Sequence, residues 1–476
     1  MHKVAIVWLR RNLRLQDNKP FAMALRHADK VLPIFIFDTT ILKSFPNPYD
    51  RRLSFLASTL CLIHYQLKKL QGKLCVFHGT PVEIIPQLVN LLKIEAIYAD
   101  EDYEPANIER DRNLQKVLAH HCKLNLYCDH LLIKPGTILT KYNHPYKVYT
   151  PYMQAFRAYI VHQGALAQNR LLMAYNYTLE GRLLVPPTLD GQSIDLSLGE
   201  QAVLKEIGYI YKKDGVWDPR NAHNQLDGFI KHHIDHYKAN RDFLYLNGTS
   251  RCGPYLRFGL ISIRSCYRKA FALASNLGVT TWVNELIWRE FYAAILYHFP
   301  NIVHEPFQAK YRDTIPWHNN QADYDKFVHA QTGYPIIDAA VKQLLCEGWM
   351  HNRARMIVAS FFSKNLLLDW RKGESFFAQY LMDYELAANV GGWQWSSACG
   401  IDAPPYFRVF NPYLQGKKFD PNAEYVKKYL PSLQKVSAHM IHNINFHKIY
   451  RHYPPPMVDY GLSRIRAIET FKAIGP

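Results

Sequence analysis

The first 130 residues alternate between two kinds of segment, and this alternation restricts the fold more than any other feature of the chain. Short β-branched and aromatic runs, "VAIVWL", "VLPIFIFD", "KLCVFHG", "AIYAD" and "LNLYCDHLLI", read as buried strands. Between them stand helix-like segments such as "RLSFLASTLCLIHYQLKKLQ" and "PVEIIPQLVNLLKI". Strand and helix in turn predict a doubly wound parallel sheet, a Rossmann-like α/β domain over residues 1–130. Such sheets take ligands at the carboxyl edge of their strands. The first turn, "WLRRNLRLQDN", has no glycine, so the phosphate-cradling fingerprint is missing and NAD is disfavoured in this half.

From about 131 to 205 the pattern loosens around the breakers "KPGT", "NHPYK" and "LVPPTLDGQS", which reads as a long connector. Beyond 206, helical apolar spacing takes over. The segments "TWVNELIWREFYAAILYH", "PIIDAAVKQLLCEGWMHNRARMIVASFFSKNLLLDW" and "ESFFAQYLMDYELAAN" predict an all-helical region over 206–476. The richest apolar stretch is broken by Lys364 and Asn365, so no membrane span is expected. The apolar run near the N-terminus precedes Arg10 and Arg11, the wrong order for a secretory signal, and the eight cysteines form no CxxC pair. These features lead to the expectation of a cytoplasmic protein without a metal site or a disulfide framework, and a monomer is expected.

A formal charge of +17 suits a polyanionic partner, nucleic acid above all, but the excess is spread along the chain and does not place the contact. Seven of the nine tryptophans (282, 288, 317, 349, 370, 393 and 395) fall within residues 282–395. Singly each would be core; together, interleaved with Arg289, Arg353, Arg355 and His351, they suit a cavity for flat ligands beside phosphate. In "NGTSRCGPYLRFGLIS", Gly248, Gly253 and Gly259 keep the backbone open while Thr249 and Ser250 offer hydroxyls to a helix start. That suits a phosphate, although an ordinary N-cap explains it as well. "DYELAANVGG" sets Asp383, Glu385 and Asn389 within two helical turns. Its apolar surroundings point to a buried Arg355–Asp383 pair, because a buried carboxylate needs a partner. No nucleophile elbow, HExxH or Walker A motif occurs, which disfavours hydrolysis and phosphoryl transfer.

Taken together, these stretches resemble the photolyase–cryptochrome family, and within it the class I cyclobutane pyrimidine dimer photolyases. The resemblance runs from "VWLRRNLRLQDN" through "GTSRCGPYLRFG" and "WVNELIWREFY". It is densest over "TGYPIIDAAVKQLLCEGWMHNRARMIVASF" and "DYELAANVGGWQWSSACGIDAPPYFRVFNP". It implies an α/β domain for an antenna chromophore and a helical domain for FAD. In that family, light-excited reduced flavin passes an electron to a flipped-out dimer, the cyclobutane ring splits, and the electron returns. By motif, Tyr237 and the turn Thr249, Ser250, Arg251, Cys252 and Gly253 are expected at the FAD phosphates, with Trp282 and Arg289 nearby. Asp383, Tyr384 and Glu385 are expected around the isoalloxazine with Arg355, and Asn389 at its reactive nitrogen. Glu285, Trp288, Asn352, Met356 and Trp395 should line the dimer pocket, with Glu285 hydrogen-bonding the damaged bases. Arg241, Arg353 and Arg408 should contact DNA. Trp393, Trp370 and Trp317 match the family's electron-transfer chain. The alternative is a blue-light photoreceptor of the cryptochrome type that signals through protein partners.

Several positions discriminate within the family. Asn352 and Met356 stand where photolyases for the six-four photoproduct carry histidines, and Asn389 is an amide where plant cryptochromes have an aspartate. Three departures stand out: Gly253 for the usual serine, Glu385 for the usual aspartate, and Ala106 and Asn107 where folate-binding members have Asn and Glu. The antenna is therefore left open between methenyltetrahydrofolate, a deazaflavin, another flavin or none. In "GGWQWSS" the resemblance sets Trp393 beside the flavin and Trp395 on the dimer, with the two glycines expected to turn the backbone close to both.

Overall fold

The structure is a computed structural model and describes residues 2–119, 121–162, 171–189, 191 and 193–475. Five parallel strands appear where the apolar runs predict them: β1 (His2–Trp8), β2 (Ala28–Asp38), β3 (Cys75–Gly79), β4 (Ala96–Asp100) and β5 (Lys123–Tyr127). Their order is β3-β2-β1-β4-β5. The register pairs Ala5 with Val31 on one side and with Ala96 on the other. Continuous apolar runs such as "VLPIFIFD" belong to strands covered on both faces, which is why they do not alternate with polar residues. Helices α1 (Lys19–His27), α2 (Arg51–Lys69), α3 (Pro81–Leu92) and α4 (Pro105–Leu118) connect the strands. The core holds Ile6, Leu32, Ile34, Phe77, Ile97 and Leu114, all buried. Arg182 donates to the carbonyls of Leu25 and Ala28 at 2.9 and 2.6 Å, satisfying the end of α1 from a remote segment.

Connections run outward from β1 in one direction and from β4 in the other, which makes the β1/β4 edge the switch point. In this chain the edge is packed with its own charges. Arg10 lies 3.6 Å from the centroid of the Trp8 ring and forks onto Asp111 at 2.7 and 2.9 Å. Arg110 also reaches Asp111, and Arg11 pairs with Asp102 at 3.2 Å and Glu104 at 3.1 Å. Burial, reinforced by the neighbouring Arg110, pulls the Arg10 guanidinium down to about 10.

The stretch read as a connector contains helix α5 (Tyr149–His162). The later helices include α6 (Leu277–His298), α7 (Pro335–Glu347), α8 (Asn352–Ser360), α9 (Trp370–Tyr380) and α10 (Leu386–Ser396). No described helix is long and apolar enough to cross a membrane. The chain divides into two compact units. One comprises residues 1–138, 155–232 and 250–275; the other comprises 139–154, 233–249 and 276–476.

The apolar pattern from 335 to 370 runs on as if it were one helix, yet the structure breaks it three times. Gly348 adopts φ 63°, a left-handed C-terminal residue that closes α7. His351 then caps α8, its Nδ1 accepting the Arg353 N–H at 3.1 Å. After Ser360 the chain widens into a π turn, Phe361–Asn365, whose buried Lys364 donates to the Arg408 carbonyl at 2.9 Å. Asp369 caps α9 in turn, accepting from Arg371 N at 3.0 Å.

Candidate functional site

Within the second unit, α10 packs against α6, α8 and α9. Helix α6 starts where Asn276 caps Val279 N at 2.9 Å. Gly278 lets it approach residue 234, because a Cβ there would lie 2.1 Å from the Ile234 carbonyl oxygen. Trp282, Glu285, Arg289 and Tyr292 recur at helical spacing along α6 and share a face, with Trp288 beside them. Glu285 and Arg241 form an ion pair with side chains 30% and 19% exposed, so a residue expected at the bases meets one expected at DNA. Arg241 also lies over the ring of Tyr237, whose phenol is pushed up by burial and by the Glu285 charge.

Helix α8 presents four of the expected residues in an order set by its pitch. Asn352 and Met356 are one turn apart and in contact, amide to sulfur at 3.9 Å. At about 100° per residue, Arg353 and Arg355 flank them on opposite sides. Arg353 pairs with Asp242 at 2.8 Å, and Arg355 with Asp383 at 2.8 and 3.0 Å. Burial holds His351 down at about 4, so it is neutral when it caps this helix. Arg408 is exposed and carries its guanidinium on a loop fixed by the Lys364 contact.

Helix α10 carries the opposite carboxylate and both tryptophans. Glu385, the residue before its first turn, is buried and takes the Arg289 guanidinium on both oxygens, Nε at 3.1 and 2.9 Å and Nη2 at 2.5 Å. Asn389 donates to the Glu374 carboxylate at 2.8 Å and to its carbonyl at 3.0 Å. The Tyr384 hydroxyl donates to the same carboxylate at 3.3 Å. Burial raises the Glu374 carboxyl above its usual range. Sequence reasoning missed Glu374 because its partner lies fifteen residues on and on another helix.

"GGWQWSS" does not turn: Gly391 to Ser396 are the last part of α10, Ser397 caps its end, and neither glycine has a left-handed backbone. The expected bend is therefore corrected to a helix, and the glycines answer to space. A Cβ on Gly391 would stand 2.3 Å from the Tyr292 ring, whereas one on Gly392 would meet nothing within 4 Å. Two positions apart on a helix is about 200°, so the two indoles leave on nearly opposite sides. Trp393 is 2% exposed and packs edge-on to Phe377 and Phe362, with ring centroids 4.9 and 5.4 Å away. Its indole also fills the space of a Cβ on Gly373, one turn along α9 from Trp370. Trp395 is partly exposed. Trp370 is fully buried and Trp317 partly exposed, so burial falls from Trp370 towards Trp317.

Gln394, between the two tryptophans, is the residue that fixes this helix end. Its Nε2 donates to the carbonyls of Ile302 and Glu305 at 2.7 and 2.9 Å, and its Oε1 accepts from Phe307 N at 2.8 Å. Gln394→Leu would strand three backbone groups, each costing about 1–3 kcal/mol where water cannot reach. A loss of roughly 3 kcal/mol is expected from urea unfolding; an unchanged midpoint would mean that water replaces the amide.

In the first unit, Ser250 to Gly253 form a tight local structure. Gln225 donates to the Ser250 carbonyl at 2.9 Å, the Ser250 hydroxyl accepts from Cys252 N at 3.4 Å, and Arg251 has φ 49°. Gly253 opens a helix of only five residues, Gly253–Arg257. Thr249 belongs to the other unit. Nearby in sequence, Gly248 is required, since a Cβ there would lie 2.8 Å from the Asn240 carbonyl oxygen.

The second unit's residues fit a flavin. A heteroaromatic ring with a polar edge needs hydrogen-bonding groups and an unobstructed face. The unit offers the Arg355–Asp383 and Arg289–Glu385 pairs, the Asn389 amide and the open side of Gly392. The buried Nε1 of Trp393 and Nε2 of His351 make no hydrogen bond among the described residues. The switch-point edge fits a second, anionic chromophore less well, because its three arginines are already engaged by Asp102, Glu104 and Asp111.

Comparisons with known proteins cover both parts of the chain. Residues 5–167 match the family model described as DNA photolyase, and residues 282–473 match the FAD binding domain of DNA photolyase. The deoxyribodipyrimidine photo-lyase of Synechococcus sp. is 36% identical, over 98% of this chain and 96% of its own. Two solved structures are similar throughout. A bacterial class III photolyase from Agrobacterium tumefaciens has a TM-score of 0.87 at 30% identity, covering 100% of this chain and 98% of that one. An archaeal photolyase from Sulfolobus tokodaii, solved with two FAD molecules, has a TM-score of 0.82 at 30% identity, covering 99% and 100%.

Proposed function

The chain belongs to the photolyase–cryptochrome family, and from that premise we propose that it is a deoxyribodipyrimidine photo-lyase, a light-dependent repair enzyme for cyclobutane pyrimidine dimers in DNA that uses FAD. The observation that carries the assignment of residues is the meeting of α6, α8 and α10 in one unit. Together they carry a carboxylate, an amide, a thioether and two partly exposed indoles.

Bound FAD supplies the light absorption and the electron. The remaining work belongs to the chain. Asn352, Met356, Trp288 and Trp395 offer the extruded dimer an apolar and amide-lined seat, where aromatic faces stand in for the neighbouring bases of the duplex. Glu285 accepts hydrogen bonds from the bases once Arg241 turns from it to a backbone phosphate. Arg353 and Arg408 add phosphate contacts. One electron enters the dimer, its two inter-base carbon–carbon bonds break, and the electron leaves, so the repair needs no net oxidant or reductant. Trp317, Trp370 and Trp393 refill the cofactor from the surface when it has become oxidised.

A band-shift titration in the dark tests the assignment. A duplex with one thymine dimer should be held more tightly than the undamaged duplex, and blue light should release it as the dimer is repaired. Equal affinity for both duplexes would count against the pocket.

A further inference from the structure

Trp288 is covered on one face by a residue from the supposed connector. The ring of Tyr149 lies parallel to it, with centroids 3.6 Å apart and planes 6° apart. Tyr149 is 8% exposed and tethered at two points. Its hydroxyl donates to the Asn284 carbonyl at 2.8 Å, one turn before Trp288 on α6, and its N–H donates to Asp402 Oδ2 at 3.2 Å. Phe291 stands edge-on to both rings, 5.8 Å from Tyr149 and 5.6 Å from Trp288. Tyr292 leans on Trp288 at 5.5 Å and 32°.

A full face-to-face sandwich is not the arrangement an unconstrained aromatic pair prefers. Here the surrounding rings hold the pair in it and the two hydrogen bonds add to that hold, and the consequence is steric. An indole flush against one ring and flanked by two others cannot rotate about its side-chain bonds without breaking the stack. Its other face then keeps a fixed plane towards any ligand. Resting on the reading of Trp288 as a wall of the dimer pocket, we propose that Tyr149 is a substrate-positioning residue, which sets the plane of Trp288 before the dimer arrives. Preorganisation of this kind acts on affinity for the extruded dimer and on the geometry of the bound state, and leaves undamaged DNA unaffected.

Three variants test this, with duplex binding, FAD content and repair yield at saturation as readouts. Tyr149→Leu should weaken binding of the dimer-containing duplex by about tenfold, the scale of one base–aromatic stack. Affinity for undamaged duplex and FAD content should match the parent. Tyr149→Phe, which keeps the stack and loses only the hydroxyl, should recover most of the preference for the dimer. Trp288→Ala is the reference. If it weakens dimer binding and Tyr149→Leu does not, the positioning role is wrong and the pocket reading stands. If Trp288→Ala has no effect, the pocket reading fails and takes this proposal with it. Equal loss of binding to both duplexes in Tyr149→Leu would reduce Tyr149 to a fold residue and overturn the proposal.

Discussion

Trp317→Phe should slow the photoreduction of oxidised FAD by about tenfold or more, while chemically pre-reduced protein repairs dimers at close to the parent rate. Trp317 is the partly exposed member of the three, where an external reductant can reach an indole. Trp370 and Trp393 are 0% and 2% exposed, and their Nε1 groups find no acceptor among the described residues. Trp393 rests on Gly373, one turn from Trp370, so α9 and α10 together would carry the inner two steps of the proposed relay. Phenylalanine keeps an aromatic ring beside Phe471 and changes little in packing. Transient absorption and a repair assay on the same preparation separate the two activities. Equal loss of both would contradict the relay.

Glu285→Ala should lower repair by roughly ten- to a hundredfold with FAD retained, since hydrogen bonds to a charged group contribute about 1.5–3 kcal/mol. The carboxylate is 30% exposed and its partner is Arg241, so it is held in place yet available. On the proposed reading its loss removes the acceptor for the bases, and it leaves Arg241 without this carboxylate. Glu285→Gln keeps an acceptor and should fall between the parent and Glu285→Ala. Repair yield per absorbed photon, measured with saturating DNA, isolates this from weaker binding. Colourless protein would instead make Glu285 a support of the fold.

The sheet was legible because doubly covered strands such as β2 and β4 are continuous apolar runs, and β1 to β5 fall on the five segments read as strands, the half-buried edge strand β5 included. The helical region was legible in kind but not in its breaks. Gly348, His351 and Asp369 are ordinary helix-end signals, yet the apolar spacing runs through them, and the π turn at Phe361–Asn365 has no sequence mark of its own. The Arg355–Asp383 pair could be anticipated because a carboxylate in apolar surroundings requires a cation, but it is half-buried where the sequence suggested a buried pair, with side chains 26% and 12% exposed. Nothing local announces Glu374 behind Asn389 or Tyr149 behind Trp288, since each contact joins distant segments. The glycines of "GGWQWSS" suggested a bend because glycine permits one, whereas here Gly391 yields room to Tyr292 and Gly392 opens a space.

The decisive measurement is the action spectrum of repair on a duplex with a single thymine dimer, using protein whose FAD is fully reduced. Dimer loss should follow the absorption of the reduced flavin across the near-ultraviolet and blue, with none in the dark. Dimers left intact while the bound FAD is reduced and absorbing would contradict the assignment.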